Sequence, residues 1–278
     1  MKTMLNMTLP LMISLLWFIS CSEKKSDFKM PAMEVKKIET SAMVDSIPAV
    51  ADSICGIPSL SYITGKFDPK IMDCFQKIPN GLADKPDLYL RKEVLEAYQM
   101  MKEAANKDDI QLVIISATRN FDYQKGIWDR KWTGQTLLEG QTKATDIKDP
   151  AARAKAIMKY SAMPGASRHH WGTDIDLNSL NNSWFSKGEG KKLYDWMQTE
   201  GKKFGFYQVY TSRDSGRKKG YEEEKWHYTY KPVSKDITKL ADQMLTNQAI
   251  TGFPGSEAAT EINVKDNYVM GINPECYE

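Results

Sequence analysis

The chain has 278 residues and a formal charge of +2, enough for one substantial domain with its own core or two small ones. Its 41% hydrophobic and 27% charged residues are ordinary for a globular protein. The near-neutral balance gives no electrostatic reason to expect a nucleic-acid partner.

In chain order, the first twenty residues come as a unit. Lys2 precedes an apolar run that includes Leu9, Leu11, Ile13, Leu15, Leu16 and Trp17. The run is too short for the roughly 20 residues of a membrane span and fits a secretory signal. It ends at Phe18-Ile19-Ser20-Cys21 and turns polar at Ser22-Glu23-Lys24-Lys25. This is similar to a bacterial lipoprotein signal, in which Cys21 would be lipidated and begin the mature chain. Phe18 stands where leucine is commoner. A plain cleaved signal and an uncleaved anchor are the alternatives. Residues 21–56 lack sustained periodicity and are expected to be a tether, about 35 residues spanning roughly 30 Å. Residues 57–278 are expected to be the folded domain.

Residues 88–106 carry Leu90, Val94, Leu95, Tyr98 and Met101 at helical spacing. Residues 110–116 (IQLVIIS) are a short apolar run that predicts a buried strand. Helices are predicted over 123–132 and 151–161, with a polar lid or exposed loop over 133–150 between them. A short strand is predicted over 173–177, then a helix over 193–204 closed by Gly205. Strands over 206–210 and 226–230 flank a charged hairpin loop at 211–220. A last helix spans 236–246, before the break Gly252-Phe253-Pro254-Gly255. There is no internal repeat and no regular strand–helix alternation. The fold class is therefore α+β, with a small, mainly antiparallel sheet flanked by helices. Beyond Cys21, export permits a disulfide among Cys55, Cys74 and Cys276, and the spacing leaves the pairing open.

Chemistry concentrates in two stretches. In Ser167-Arg168-His169-His170-Trp171-Gly172-Thr173-Asp174-Ile175-Asp176, strand alternation puts Asp174 and Asp176 on one face and Ile175 and Leu177 on the other. In Glu224-Lys225-Trp226-His227-Tyr228-Thr229-Tyr230, His227 and Thr229 share a face. If the two strands pair, His169, Asp176 and His227 converge. Two imidazoles and a carboxylate with a fourth position open to water are a typical catalytic zinc set, and Glu224 would stand beside that water.

The spacing S-x-H-x6-D, followed about fifty residues later by E-x-W-H, resembles the D-alanyl-D-alanine metallocarboxypeptidases of the VanY type. The likeness covers roughly residues 116–230. By that resemblance the fold is the one shared with the Hedgehog signalling domain, with its motif core over 110–232 and a C-terminal extension. His169, Asp176 and His227 would hold one zinc ion, and Glu224 would be the catalytic base. The family's S-G-Y-R-S-x-x-x-Q-like segment reads here as Ser116 to Gln124. It assigns Arg119 to the substrate's carboxylate, with Gln124 and Ser167 as further substrate-binding residues. Ala117-Thr118, Asp174 and Lys225 depart from the pattern, and Asp174 adds an acid close to the site.

The resemblance implies a D,D-carboxypeptidase that removes a terminal D-amino acid from peptidoglycan stem peptides; the N-terminal segment adds the expectation of a membrane tether, and the protein is expected to be a monomer. An endopeptidase of the same fold and a lipoprotein that binds wall peptide without cutting it are the alternatives. His170 is expected to be a packed or exposed neighbour. Arg119 could instead be a surface salt bridge. Glu222, Glu223 and the basic group Arg213, Arg217, Lys218 and Lys219 are expected to be solvated. Trp128, Trp132 and Trp171 are expected in the core or a pocket wall.

Overall fold

The computed structural model describes residues 59–278; the expected signal, Cys21, the tether and Cys55 lie outside the described residues. Helix α1 (Leu60–Ile63) opens on Ser59, whose side chain accepts from the Tyr62 N–H. A two-stranded ribbon follows, β1 (Phe75–Lys77) paired antiparallel with β2 (Tyr89–Arg91). Residues 88–91, which helical periodicity assigns to the next helix, thus belong to a strand or its approach. Helix α2 (Lys92–Lys107) starts only after it and buries Val94, Leu95, Tyr98, Met101 and Ala105.

The strand predicted over 110–116 is shorter. Only β3 (Ile114–Ser116) joins a ladder. Residues 111 and 113 are held instead by one side chain: Asn178 Oδ1 accepts from the Val113 N–H, and Asn178 Nδ2 donates to the Gln111 carbonyl. Helices α3 (Phe121–Trp132) and α4 (Pro150–Ile157) follow, capped by Asn120 and Asp149. A 3-10 turn, Arg168–Trp171, ends at Gly172 in the left-handed region and feeds β4 (Asp174–Leu177). Then come α5 (Gly188–Trp196), continued by a π-helical turn over Met197–Gly201, β5 (Phe206–Gln208) and β6 (His227–Tyr230). Helix α6 (Lys231–Met244) starts directly off β6, five residues earlier than periodicity suggests, with Pro232 in its first turn where no donor is lost. Helix α7 (Ala258–Ile262) is the last α-helix among the described residues.

The central sheet has the order β3-β4-β6-β5, each pair antiparallel, so the α+β reading stands. One face is apolar: Ile114, Ile175, Leu177, Phe206 and Tyr228 pack with residues of α2 and α5. The other face carries Asp174, Asp176, His227 and Thr229 in register, Asp174 opposite Thr229 and Asp176 opposite His227. A second cluster, drawn from α3, α4, α6 and α7, includes Trp128, Ile157, Ile237 and Ile262.

Trp128 and Trp171 are fully buried, their indole N–H groups donating to the Pro254 and Ile63 carbonyls. Trp132 stacks on Trp128. Residues after α6 hold the end of β5: the backbone N–H of Asn273 donates to Val209 O, and its side chain donates to Gln208 O. Cys74 is disulfide-bonded and Cys276 is a buried free thiol, so these two do not pair with each other.

Gly172 sits at φ 72°, and a Cβ there would overlap the Phe75 ring. Gly172→Ala therefore combines a left-handed residue with overpacking. It should cost about 2–5 kcal/mol of stability, read from the midpoint of a denaturant melt.

Candidate active site

The β4–β6 register brings Asp176 and His227 together, and the 3-10 turn swings His169 in from one side. Each of the three offers one donor atom, and all three atoms lie within 4.8 Å of one another. The imidazole centroids of His169 and His227 are 4.6 Å apart. His169 Nδ1 donates to the Ala117 carbonyl at 2.9 Å, which leaves the lone pair on Nε2. That Nε2 lies 3.3 Å from Asp176 Oδ1, and both atoms are buried without a hydrogen-bond partner. Buried polar atoms are nearly always satisfied. Two such atoms facing each other, with His227 Nδ1 at 4.0 Å from the same Oδ1, suit a cation between them. An N,N,O donor set of this kind can hold a divalent ion, zinc first.

Asp174, whose role the sequence left open, acts behind His227. Its Oδ2 accepts from His227 Nε2 at 3.0 Å and from Arg168 Nε at 3.1 Å. Its Oδ1 accepts from the Thr229 hydroxyl at 2.6 Å and the Thr173 hydroxyl at 2.8 Å. Arg168 is fully buried, stacked over Trp171 and bonded to Thr238 and Thr229. Burial opposes ionisation of Asp174, but the Arg168 guanidinium and the His227 bond outweigh it and hold the carboxyl below the usual range. Burial works against Asp176 in the same way and is outweighed by His169, His227 and Arg119. Asp174 thus turns His227 so that Nδ1 faces the cluster, as outer-shell carboxylates do for ligating histidines.

Glu224 is buried, and its Oε2 lies 2.9 Å from His227 Nδ1. Burial raises its pKa, against the pull of His227. Burial also disfavours the charged form of His227, but the Asp174 and Glu224 hydrogen bonds prevail and lift its pKa to about 9. Both carboxylates accept, so both ring nitrogens carry protons when no ion is bound.

Arg119 leaves the end of β3 with its Nη2 3.7 Å from Asp176 Oδ2, and its Nε is buried without a partner. The two histidines of the turn fix its backbone. The Arg119 N–H donates to His169 O at 3.1 Å. His170 Nδ1 donates to Arg119 O at 2.6 Å while His170 Nε2 accepts from the Gly165 N–H. His170 is therefore a buried positioning residue, its pKa pushed down to about 3 by burial.

Ser167 lines a small pocket together with Glu224, His169 and His227. Tyr221 lines it too, and its buried hydroxyl lacks a partner. Gln124 lies behind the wall: it is fully buried, its amide donating to the Ala162 carbonyl. A larger cavity of about 690 Å³ opens beside Asp176, Glu224, Arg119 and Trp226, and part of its rim is formed by the 133–150 segment through Thr136, Leu137, Glu139 and Gly140.

The basic hairpin needs one correction. Arg217 is buried rather than solvated, because Thr211 and Lys219 carbonyls take its N–H groups and its guanidinium lies over the Tyr210 ring. Lys131 and Arg168 are site residues that the sequence reading passed over. Lys131 falls seven residues after the buried Gln124 on α3, a spacing that marks a lysine on an inward face.

The sequence profile of the D-alanyl-D-alanine carboxypeptidase family, VanY, matches residues 87–233. The chain belongs to the VanY family. YodJ of Bacillus subtilis (strain 168), a protein named as a carboxypeptidase, is 32% identical over 158 residues, 55% of this chain and 49% of its own. A D-alanyl-D-alanine carboxypeptidase of Enterococcus faecalis is 28% identical over 148 residues, 53% of this chain and 50% of its own. The chain thus spans about half the length of these curated relatives. A solved VanY D,D-pentapeptidase in complex with Zn(II) is 23% identical, with a TM-score of 0.41 covering 66% of this chain and 93% of that one.

Two outcomes follow for this VanY-family site. Asp174→Asn should weaken zinc binding by about 10- to 100-fold in a chelator competition, because His227 loses the partner that sets its ring. In chelator-stripped protein, the charged His227 is stabilising below its ordinary value of 6.5, and that contribution is lost as pH rises through about 9. Melting temperature should therefore fall across that window, and a flat profile would show that His227 is not held as an imidazolium.

Proposed function

We propose that this chain is a zinc-dependent carboxypeptidase that removes the terminal D-amino acid from peptidoglycan stem peptides. The observation that carries the reading is the pair of buried, unpartnered donor atoms on His169 and Asp176, facing each other beside His227 and Glu224. An ion at this place would be held by His169 Nε2, an Asp176 oxygen and His227 Nδ1. It would supply Lewis acidity and a water of lowered pKa.

The chain's own groups do the rest. Glu224, buried beside His227 and at the wall of the large cavity, accepts the proton of the attacking water and passes it to the departing amine. Its raised pKa suits both halves of that exchange. His227 Nδ1 is also the atom that would hold an ion, so with an ion bound Glu224 would give up that hydrogen bond and could face the attacking water. Arg119 presents a forked donor to the substrate's terminal carboxylate. An arginine in the wall favours a chain end over a crosslink, hence carboxypeptidase over endopeptidase action. The neighbouring Tyr221 hydroxyl stays protonated, its pKa driven well up by burial. The N-terminal residues fit export and lipid anchoring at Cys21, which would present the enzyme to the wall. Among the described residues, no helix is long and apolar enough to cross a membrane.

Glu224→Gln should lower D-alanine release from purified muropeptides by about 10²–10⁴-fold, read by mass spectrometry, while bound zinc measured by atomic absorption stays at the wild-type level. Chelation should abolish release and added zinc restore it. Chelator-insensitive binding of muropeptides with no new products would sink the peptidase reading.

A further inference from the structure

The small pocket beside the two histidines has a lining residue that the proposed reaction does not use. Tyr221 is buried, and its hydroxyl finds no hydrogen-bond partner among the described residues. Its ring is fixed between two others. Tyr210 meets it edge to face with centroids 4.9 Å apart, and Tyr268 does so at 5.0 Å. Tyr210 in turn meets the His227 ring at 5.1 Å. The backbone is fixed as well. Gly220 stands at φ 93°, where a Cβ would strike the Gly271 carbonyl oxygen, and the Glu222 N–H donates to the Lys159 carbonyl at 3.1 Å. Tyr268 and Gly271 lie beyond residues 87–233, so part of what holds Tyr221 comes from outside the stretch that the family profile matches.

A phenylalanine would fill the space between the two rings as well as this tyrosine does. The hydroxyl adds the desolvation cost of a buried donor without an acceptor. Arg119 shows the same condition in the same place: it lines this pocket, and its Nε is buried without a partner among the described residues. Ser167 lines the pocket too. Glu224 is the one acid in the lining and the rival acceptor for the Tyr221 hydroxyl, but it accepts from His227 and makes no bond to Tyr221. With an ion bound, the proposed reaction turns it to the attacking water. Two unsatisfied donors around one small pocket suit an anion that comes with the substrate. A carboxylate offers two oxygens and about four lone-pair directions, enough for a guanidinium fork and a phenol together. The pocket's volume of about 30 Å³ admits about two water-sized groups, which matches those two oxygens.

We propose that Tyr221 is a further substrate-binding residue, whose hydroxyl donates to the chain-end carboxylate beside Arg119. This rests on the reading of the site as a carboxypeptidase and narrows its substrate class to peptides with an unblocked carboxyl end. A neutral phenol tightens the grip without placing another cation beside Glu224, which would lower the proton affinity that the exchange needs.

The test uses N-acetyl-L-lysyl-D-alanyl-D-alanine and the same peptide with its chain end amidated. Calorimetry on the zinc-loaded Glu224→Ala protein reads binding without turnover. Adding Tyr221→Phe should weaken the free acid by roughly 10- to 100-fold, as for a hydrogen bond to a charged group, and leave the amide unchanged. With Glu224 intact, Tyr221→Phe should raise KM by the same factor and hold kcat within about twofold. Its melting temperature should match or exceed the parent's, because an unpartnered hydroxyl is removed. A fall in melting temperature would reveal an internal partner and overturn the proposal. Equal binding of the free acid to both proteins, or equal losses for acid and amide, would overturn it too. A loss confined to kcat would also overturn it, and would assign the hydroxyl to Glu224 or to the reacting carbonyl instead. A preference for the free acid that depends on Tyr221, with no cleavage by the protein that keeps Glu224, would uphold the carboxylate seat and remove the peptidase reading.

Discussion

The register between β4 and β6 is the constraint on which the site depends. In an antiparallel pair, directly opposed residues share a face. Asp176 opposite His227 and Asp174 opposite Thr229 therefore stack two acids, an imidazole and a hydroxyl on one surface. A slip of either strand by one residue would send its own two polar side chains to the apolar side, bringing Ile175 of β4 or Tyr228 of β6 into the site. The burial of Ile175, Leu177 and Tyr228 among α2 and α5 is what forbids the slip. The hydrophobic core and the polar cluster are thus two faces of one choice of pairing.

Around that pairing the charges are arranged in shells. Asp176 is shared by His169, His227 and Arg119, and Asp174 by Arg168, His227 and two threonines. Each of the two aspartates has a guanidinium at hand, the fully buried Arg168 for Asp174 and the partly exposed Arg119 for Asp176. The arrangement resolves a difficulty that a lone extra acid would create. An unpaired Asp174 in the interior would have to become neutral or destabilise the fold. Paired with Arg168, it stays ionised and turns His227 toward the cluster. Arg168 and Asp174 are best understood as one unit, which is why Asp174 looked out of place when compared alone with the family pattern.

Much of this was legible in the sequence because it is local. Alternation along residues 173–177 and 226–230 placed the acids and His227 on the right faces, and the rarity of histidine narrowed the ligand candidates. What was not legible depends on distant partners. Three-residue strands such as β2 are too short for a period to show, and Leu88 and Leu90 fit a helix as well as a strand until β1 is seen to pair with β2. Residues 110–113 carry a strand's composition, yet their hydrogen bonds go to the side chain of Asn178. The basic hairpin looked solvated because composition says nothing of the carbonyls that enclose Arg217. Lys131 was overlooked because a lysine near a helix end is normally a surface residue.

The histidine pair of the 3-10 turn ties Arg119 to the His169–Asp176–His227 cluster. One residue offers its imidazole to the cluster and its carbonyl to Arg119, and the next grips the Arg119 carbonyl from the far side. Arg119 and the three candidate ligands are therefore held as a single rigid gauge, which on the proposed reading would fix the distance from a bound chain end to the bond attacked. On that reading, variation in accepted peptides would have to come from residues 136–140, which edge the cavity on irregular backbone. A designer wishing to retune this molecule would leave the gauge alone and rebuild that edge.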